Sequence, residues 1–279
     1  MAGASMNDIK SRIKSVTGTM QITKAMELVA ASKLRRAQER IQQSRPYYEV
    51  LKEAIDAVRQ LDAEGASRFF TEAEGKTLYI VLAGDRGLAG GFNSNLFRLC
   101  ESMLDGENYE ILPVGKKALE HYKHRARPIF SEDFPEIAEV GVGAAMRLSR
   151  QVCEAYLAER FARVVLVYTR FVSMLTQTAV CEQLLPIAPS DEVRGATPEL
   201  AGDGEEFLER VIPEYVGGVI YSAVMESLAS ESGARRSAMN SANKNASEMI
   251  DSLNLSYNRA RQAMITQEIT EIVSGAEAL

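Results

Sequence analysis

The sequence has no tryptophan, two histidines and three cysteines in 279 residues. Each scarcity excludes something. Cys100, Cys153 and Cys181 are odd in number and scattered, so they outline neither a disulfide framework nor a metal cluster, a pattern that suits a reducing cytoplasm. His121 and His124 stand three apart, a spacing that can face one metal on a helix, but no cysteine or carboxylate clearly joins them. So few histidines leave no Ser/His/Asp arrangement to assemble. No apolar run approaches the ~20 residues a bilayer span needs. Met1 to Met20 holds no apolar core of about 7–15 residues, so no secretory signal is expected. No cofactor and no metal is expected either.

Proline and glycine are scarce at both ends. Glu226 to Ala276 has no proline and, among its glycines, Gly233 and Gly275 alone. Met239, Asn243, Ala246, Ile250, Leu253, Tyr257, Ala260 and Met264 follow one another at alternating steps of four and three. That is a coiled-coil seam, which needs a partner helix. Beyond Met264 the apolar stripe moves to a neighbouring face at Ile265, Ile269, Ile272 and Ala276, so the helix changes partner there.

Residues 7–60 read as a second long helix, capped by Asn7 or Asp8. Its seam runs Ile9, Ile13, Val16, Met20, Thr23, Glu27, Ala30, Leu34, Ala37, Ile41, Ser44, Tyr48, Leu51, Ile55 and Val58. It turns polar at Thr23 and Glu27, where Ile22, Met26 and Val29 lie on a different face and invite a different partner. Pro46 is expected to kink the helix. At 1.5 Å per residue the two helices would run roughly 80 and 95 Å. If one compact domain joins them at one end, they run antiparallel. Ala234, Ala238, Ala242 and Ala246 would let the backbones come close, while Arg235, Asn240, Asn243 and Asn245 would weaken the pair and fix its register.

Charge is uneven. In a chain of formal charge −6, residues 7–52 carry ten basic against four acidic side chains. A basic helix suits nucleic acid, an acidic membrane or an acidic protein surface. No aromatic residue precedes Tyr47 among these cations, so there is no stacking platform for single strands.

Between the helices, residues 76–187 alternate strand and helix. Strands are predicted at Thr77–Ala83, Tyr109–Val114, Arg127–Phe130, Val164–Tyr168 and Thr178–Leu185. Helices are predicted at Asn93–Leu104, Lys116–Tyr122 and through most of Glu136–Arg160. This is an α/β, Rossmann-like domain with a partly parallel sheet. The expected division is a shaft from residues 1–60 and 208–279, the α/β domain at 76–187, and connecting loops at 61–75 and 188–207. The loop from Gly84 to Asn93 follows a strand and opens a helix, the usual place for a phosphate. Its glycines, at 84, 87, 90 and 91, match neither G-x-G-x-x-G nor the P-loop, so a tight turn is expected.

The run SESGARRSAMNSANKNA followed by SYNRARQAMITQEITEIVSGAEAL resembles the C-terminal helix of the gamma subunit of F-type ATP synthases. IKSRIKSVTGTMQITKAMELVAASKLRRAQ resembles that family's N-terminal helix. The middle is looser: GDRGLAGGFN is similar to the family's SDRGLCGG(F/L)N but has Gly84 and Ala89 where serine and cysteine are usual, departures the fold should tolerate. The N-terminus also departs, with an extra Ser5-Met6 before NDIKSRI.

The resemblance implies an antiparallel shaft inside a ring of alpha and beta subunits, with the α/β domain at the foot beside the epsilon subunit and the membrane c ring. It implies a non-catalytic rotor at the cytoplasmic face of a bacterial membrane, coupling proton or sodium flow to ATP synthesis or hydrolysis. By the same matching, Met26, Arg235, Gln267, Thr270 and Glu271 are expected partner-contact or coupling residues, and the basic Lys24 and Lys33 beside Met26 would join them by charge attraction to an acidic loop on beta. Ile265, Ile269 and Ile272 would form an apolar bearing. Two other classes remain open from the residues alone: an enzyme on a Rossmann-like sheet with helical arms, and a coiled-coil adaptor or nucleic-acid binder.

Overall fold

In the computed structural model of the protein, residues 6–61, 67–104, 106, 108–188 and 204–277 are described. Most of the 188–207 loop and part of the 61–75 segment lie outside them. So do the side chains of Ser44, Tyr48 and Val58 on the first seam. Helix α1 spans Met6–Leu61 and α5 spans Gly204–Glu277. Between them come β1 (Thr77–Leu82), α2 (Phe92–Met103), β2 (Tyr109–Val114), α3 (Lys116–His124), α4 (Val142–Leu157), β3 (Arg163–Phe171) and β4 (Gln177–Leu185).

The chain separates into two compact units, Ala31–Arg235 and Met1–Ala30 with Arg236–Leu279. Helices α1 and α5 contribute to both; they form a long antiparallel two-helix coiled coil, and the segment between them in the chain forms an α/β domain.

The larger unit is built on one four-stranded sheet in the order β2-β1-β3-β4. β1 pairs parallel with β2 and β3, and β4 closes the edge antiparallel to β3. Alternation decides which side chain faces which layer. Leu78, Ile80 and Leu82 join Leu112, Val114, Val164 and Leu166 on one face, under Leu148, Val152 and Tyr156 of α4 and Ile212, Val216, Ile220 and Val224 of α5. Tyr79, Val81, Ile111, Val165 and Val167 point the other way, under Leu96 and Cys100 of α2 and Ala118 and Tyr122 of α3. Because both faces are covered, every residue of β1 and β2 is buried, which is why those strands read as mainly apolar runs, broken by Thr77 and Glu110, rather than as alternating ones.

Some expectations shift in this unit, and the expected helix over most of Glu136–Arg160 is refined. Arg127–Phe130 forms an isolated bridge from Ile129 to Ile111, not a strand. The Glu136–Arg160 segment is a 3-10 turn at Ile137–Glu139 followed by α4, the break falling at Gly141. α5 begins at Gly204 and carries Pro213 inside it, and α1 runs unbroken through Pro46.

In the smaller unit the seam positions of α1 are withdrawn from solvent, and so in part are Thr17, Gly18 and Met26. Ile9 and Ala30 are buried and Ile13, Val16, Met20, Thr23 and Glu27 are half-buried. Their counterparts on α5 behave alike, from buried Met239 through half-buried Asn243, Ala246, Ile250, Leu253, Tyr257 and Ala260. Where α1 turns polar, α5 answers with its own polar seam residue. The Thr23 Oγ1 and Asn243 Oδ1 atoms are 2.5 Å apart, and the Asn243 amide donates to Glu27 Oε2 at 3.0 Å. A polar contact of this kind, set among apolar seam positions, favours one register over its neighbours.

Candidate functional site

The Gly84–Asn93 loop leaves β1 at its carboxyl end, and several of its polar groups are already engaged. The Gly84 N–H donates to Asn93 Oδ1 at 3.0 Å. Asp85 accepts from the backbone N–H groups of Lys116, Ile137 and Ala138 at 2.9 to 3.0 Å. A carboxylate therefore sits where the start of α3 would hold an anion. The tight-turn reading of this loop follows from its own hydrogen bonds.

In open α/β sheets, ligands bind beyond the carboxyl ends of the strands at the point where strand order reverses. Here that point lies between β1 and β3, and α5 fills it. Ser227, Ser230, Glu231 and Ser232 are all buried there, an unusual run of polar residues for a helix interior. β1 stops pairing with β3 at Val81 and Val167. Two residues further on, the Thr169 N–H donates to Ser227 Oγ at 3.3 Å and Ser230 Oγ donates to the Thr169 carbonyl at 3.0 Å. Arg235 completes the cluster. Its guanidinium donates to Glu231 at 2.5 Å and to the carbonyls of Gly87 at 3.1 Å and Arg86 at 3.4 Å. A Cβ at residue 84 would lie 2.9 Å from the Glu231 carboxyl carbon, so the absence of a side chain at Gly84 makes room for this carboxylate.

Among the described residues the cysteine thiols are not activated and no metal cage is formed. Burial pushes the thiols up, Cys100 and Cys181 to about 11 and Cys153 to about 12, so they stay protonated at neutral pH. No three His, Cys, Asp or Glu side chains converge among those residues. His121 stacks on Phe97 with centroids 3.9 Å apart. Its Nδ1 accepts from Arg125 at 3.1 Å and its Nε2 lies 3.4 Å from Glu101, which also pairs with Arg127. Burial first, and the Arg125 cation next, hold its pKa below the usual histidine value. No described helix is long and apolar enough to cross a membrane.

The residues singled out from the sequence fall in different settings. In the smaller unit, Lys24 is exposed and pairs with Glu27 at 3.1 Å, and Met26 is half-buried beside exposed Ile22, Leu28 and Val29. α5 runs on past Ala260 with every described side chain from Arg261 to Ala276 exposed. There Ile265, Ile269, Ile272 and Val273 are open to solvent, and Gln267 donates to Glu271 at 2.8 Å, one turn along. Thr270 donates to the Thr266 carbonyl. In the larger unit Lys33 is exposed, whereas Arg235 is largely spent on contacts within its own chain. Sequence reasoning missed Ser227, Ser230 and Glu231. Their signal was present in the spacing 227, 230, 231, 235, which puts four polar residues on one helix face.

Three comparisons bear on this geometry. The chain matches the family model described as ATP synthase over residues 5–279. It is 45% identical to the ATP synthase gamma chain of Ruminococcus albus, covering 98% of both chains. It is 40% identical to the sodium-ion-specific ATP synthase gamma chain of Acetobacterium woodii, again covering 98% of both. Its fold is like that of a chain in the Euglena gracilis mitochondrial ATP synthase, with a TM-score of 0.72 at 18% identity, covering 98% of this chain and 94% of that one. With its full length matched by curated relatives at these identities, the chain belongs to the ATP synthase gamma chain family.

Proposed function

We infer that the chain is the central-stalk rotor of an F-type ATP synthase, a subunit that performs no bond chemistry itself. It carries rotation between a membrane c ring and the catalytic beta subunits, and so couples proton or sodium flow to ATP synthesis or hydrolysis. The observation that carries this reading is the full-length family match. The structure is consistent with it: the sheet's usual ligand crevice is filled by the chain's own helix, and the end of α5 is left without a partner.

In this reading residues 1–60 and 208–279 form the shaft and 76–187 the foot. The foot meets epsilon and the c ring, and the complex lies peripherally on the cytoplasmic face of the bacterial cell membrane. Lys24, Met26 and Lys33 face an acidic segment of beta through charge steering. Gln267, Thr270 and Glu271 meet the upper part of the ring, and Ile265, Ile269 and Ile272 turn in its bearing, where apolar side chains form no fixed hydrogen bonds. Arg235 belongs to the same coupling set.

The test is reconstitution with the cognate alpha, beta, epsilon and c subunits in vesicles. ATP-driven ion uptake should require this chain. Met26→Lys should leave thermal unfolding of the chain nearly unchanged and lower ion transport per ATP hydrolysed. Uptake that proceeds without the chain refutes the rotor reading. A large drop in unfolding temperature with normal coupling makes Met26 a packing residue only.

A further inference from the structure

A rotor built from a sheet domain and a long helix needs a joint that resists twist. The contacts of α5 with the sheet are of two kinds. Ile212, Val216, Ile220 and Val224 are fully buried against the strands. Such contacts hold the helix down but are non-directional, so by themselves they resist sliding and rolling weakly. Hydrogen bonds weaken steeply with angle, so they resist both.

We propose that Ser227, Ser230, Glu231 and Arg235 are the torque-bearing joint between α5 and the α/β domain. They are positioning residues that keep helix and sheet turning as one body. The proposal rests on the rotor reading.

The geometry supplies three reasons. The four residues line one face over roughly 12 Å of helix, about two turns. They engage two different strands, β3 through both backbone groups of Thr169 and β1 through the loop that leaves it. The serines also continue β3's hydrogen bonding where β1 has ended, so the helix is tied to the sheet's own backbone. The joint is seated deeply. Side-chain exposure is 11% at Arg235 and 8% at Glu231, and the serines are buried, so water competes poorly for these bonds. The gripped loop does not end there, because its Asp85 holds the start of α3 and the turn at Ile137. A twist applied to α5 therefore reaches β1, β3 and α3 together.

The experiment uses the complete complex in vesicles and reads ion uptake and ATP hydrolysis side by side, against increasing membrane potential. One set of variants cuts the joint: Ser227→Ala with Ser230→Ala, Arg235→Met, and Glu231→Ala. A second set, Val216→Ala and Ile212→Val, weakens the apolar contact and is matched for the loss of thermal stability. The joint variants should keep hydrolysing ATP while transport per ATP falls by roughly two-fold or more under load, as expected when hydrogen bonds that hold one arrangement are deleted. The apolar set should keep the normal ratio. Glu231→Gln retains an acceptor for Arg235 and should restore most of the ratio lost in Glu231→Ala. Equal ratios in the two sets, or an unchanged ratio in Arg235→Met, overturn the joint. A wild-type complex that hydrolyses ATP without moving ions would instead overturn the rotor reading.

Discussion

The two units spend their apolar residues in opposite ways. In the sheet unit both β1 and β2 are buried along their whole length, and Leu78, Ile80, Leu148 and Val164 are at 0% exposure. In the paired-helix unit the buried apolar side chains among the described residues are Ile9, Ala30 and Met239. Against them stand Ile22, Leu28, Val29, Met249, Leu255, Met264, Ile265, Ile269, Ile272 and Val273, all exposed. The sheet unit closes its own core. The helical unit carries apolar surface that its own chain does not cover, which is what a surface destined for other subunits looks like. Mutations in the first should therefore act on folding, and mutations in the second on assembly.

The largest effect is expected in the sheet unit at Gly115, between β2 and α3. Its φ is +98°, and a Cβ there would lie 2.1 Å from the Ala83 carbonyl oxygen. Gly115→Ala combines a clash with a backbone conformation that side chains disfavour, at a cost on the order of 4 kcal/mol or more. Chemical denaturation should show the sheet unit lost or nearly lost. A variant with near-normal stability would show that the β1–β2 end can relax, and would weaken the contrast between the units.

Much of this contrast was legible in the sequence. The strand runs TLYIVL and YEILPV give β1 and β2 because strands covered on both faces are rich in apolar residues on successive positions rather than alternate ones, with Thr77 and Glu110 the exceptions. The two seams predicted which helical positions would be withdrawn, since a 3.5 period allows one stripe to face a partner. What was not legible depends on long-range placement. The GDRGLAGGFN loop has glycines that suggest a phosphate, and only the arrival of Glu231 and Arg235 from a distant segment shows the crevice to be filled. Thr23 and Glu27 read as a weak place in one helix. They are instead half of a polar contact whose other half, Asn243, lies far along the chain. Met26 was singled out by its place off the seam together with the resemblance, and Lys24 by its charge beside it; burial alone would not have picked them out.

A direct comparison of the two cores sharpens the point. Leu148→Ala should cost about 3 kcal/mol, because a fully buried leucine leaves a cavity. Ile250→Ala, at a half-buried seam position, should cost roughly 1 kcal/mol, because less surface is lost and solvent can enter. Equal losses in denaturant titrations would mean the seam packs like a domain core.

Within the helical unit, Asn243→Ala removes the partner of both Thr23 and Glu27. It should cost about 1 kcal/mol. Pairing should also become less specific, so cysteine cross-links across the seam near Ala246 should spread to neighbouring registers. A variant with unchanged stability and unchanged cross-links would show that register is fixed by the apolar positions alone.

A smaller effect is expected from His121, in the sheet unit. Its pKa lies below 6.5 in the folded chain through burial and Arg125, while the unfolded chain takes up a proton near 6.5. The unfolded state then binds more protons in the window below 6.5, so His121's contribution to stability is present above that pH and declines as pH falls through it. His121→Phe keeps an aromatic ring against Phe97 and removes the titration. The stability difference between wild type and His121→Phe should therefore shift in favour of the variant as pH falls below about 6.5. A difference that stays flat with pH would leave His121 as a packing residue.

The smallest effect on the isolated chain is expected at the end of α5. Ile269 is 57% exposed and Ile272 is 72% exposed, so Ile269→Ser with Ile272→Ser removes little buried surface. Unfolding of the free chain should change by about 0.5 kcal/mol or less, as for most exposed positions. The same double variant should weaken association with the catalytic ring, because the two isoleucines would be covered there and each buried side chain contributes about 1.5–3 kcal/mol. The paired measurement is thermal unfolding of the chain alone and competition between variant and wild-type chains for limiting alpha and beta subunits. Loss of stability without loss of competition would place these residues in a core of the chain itself. No change in either would leave the exposed stripe without a partner, and the contrast between the two units would then lose its explanation in assembly.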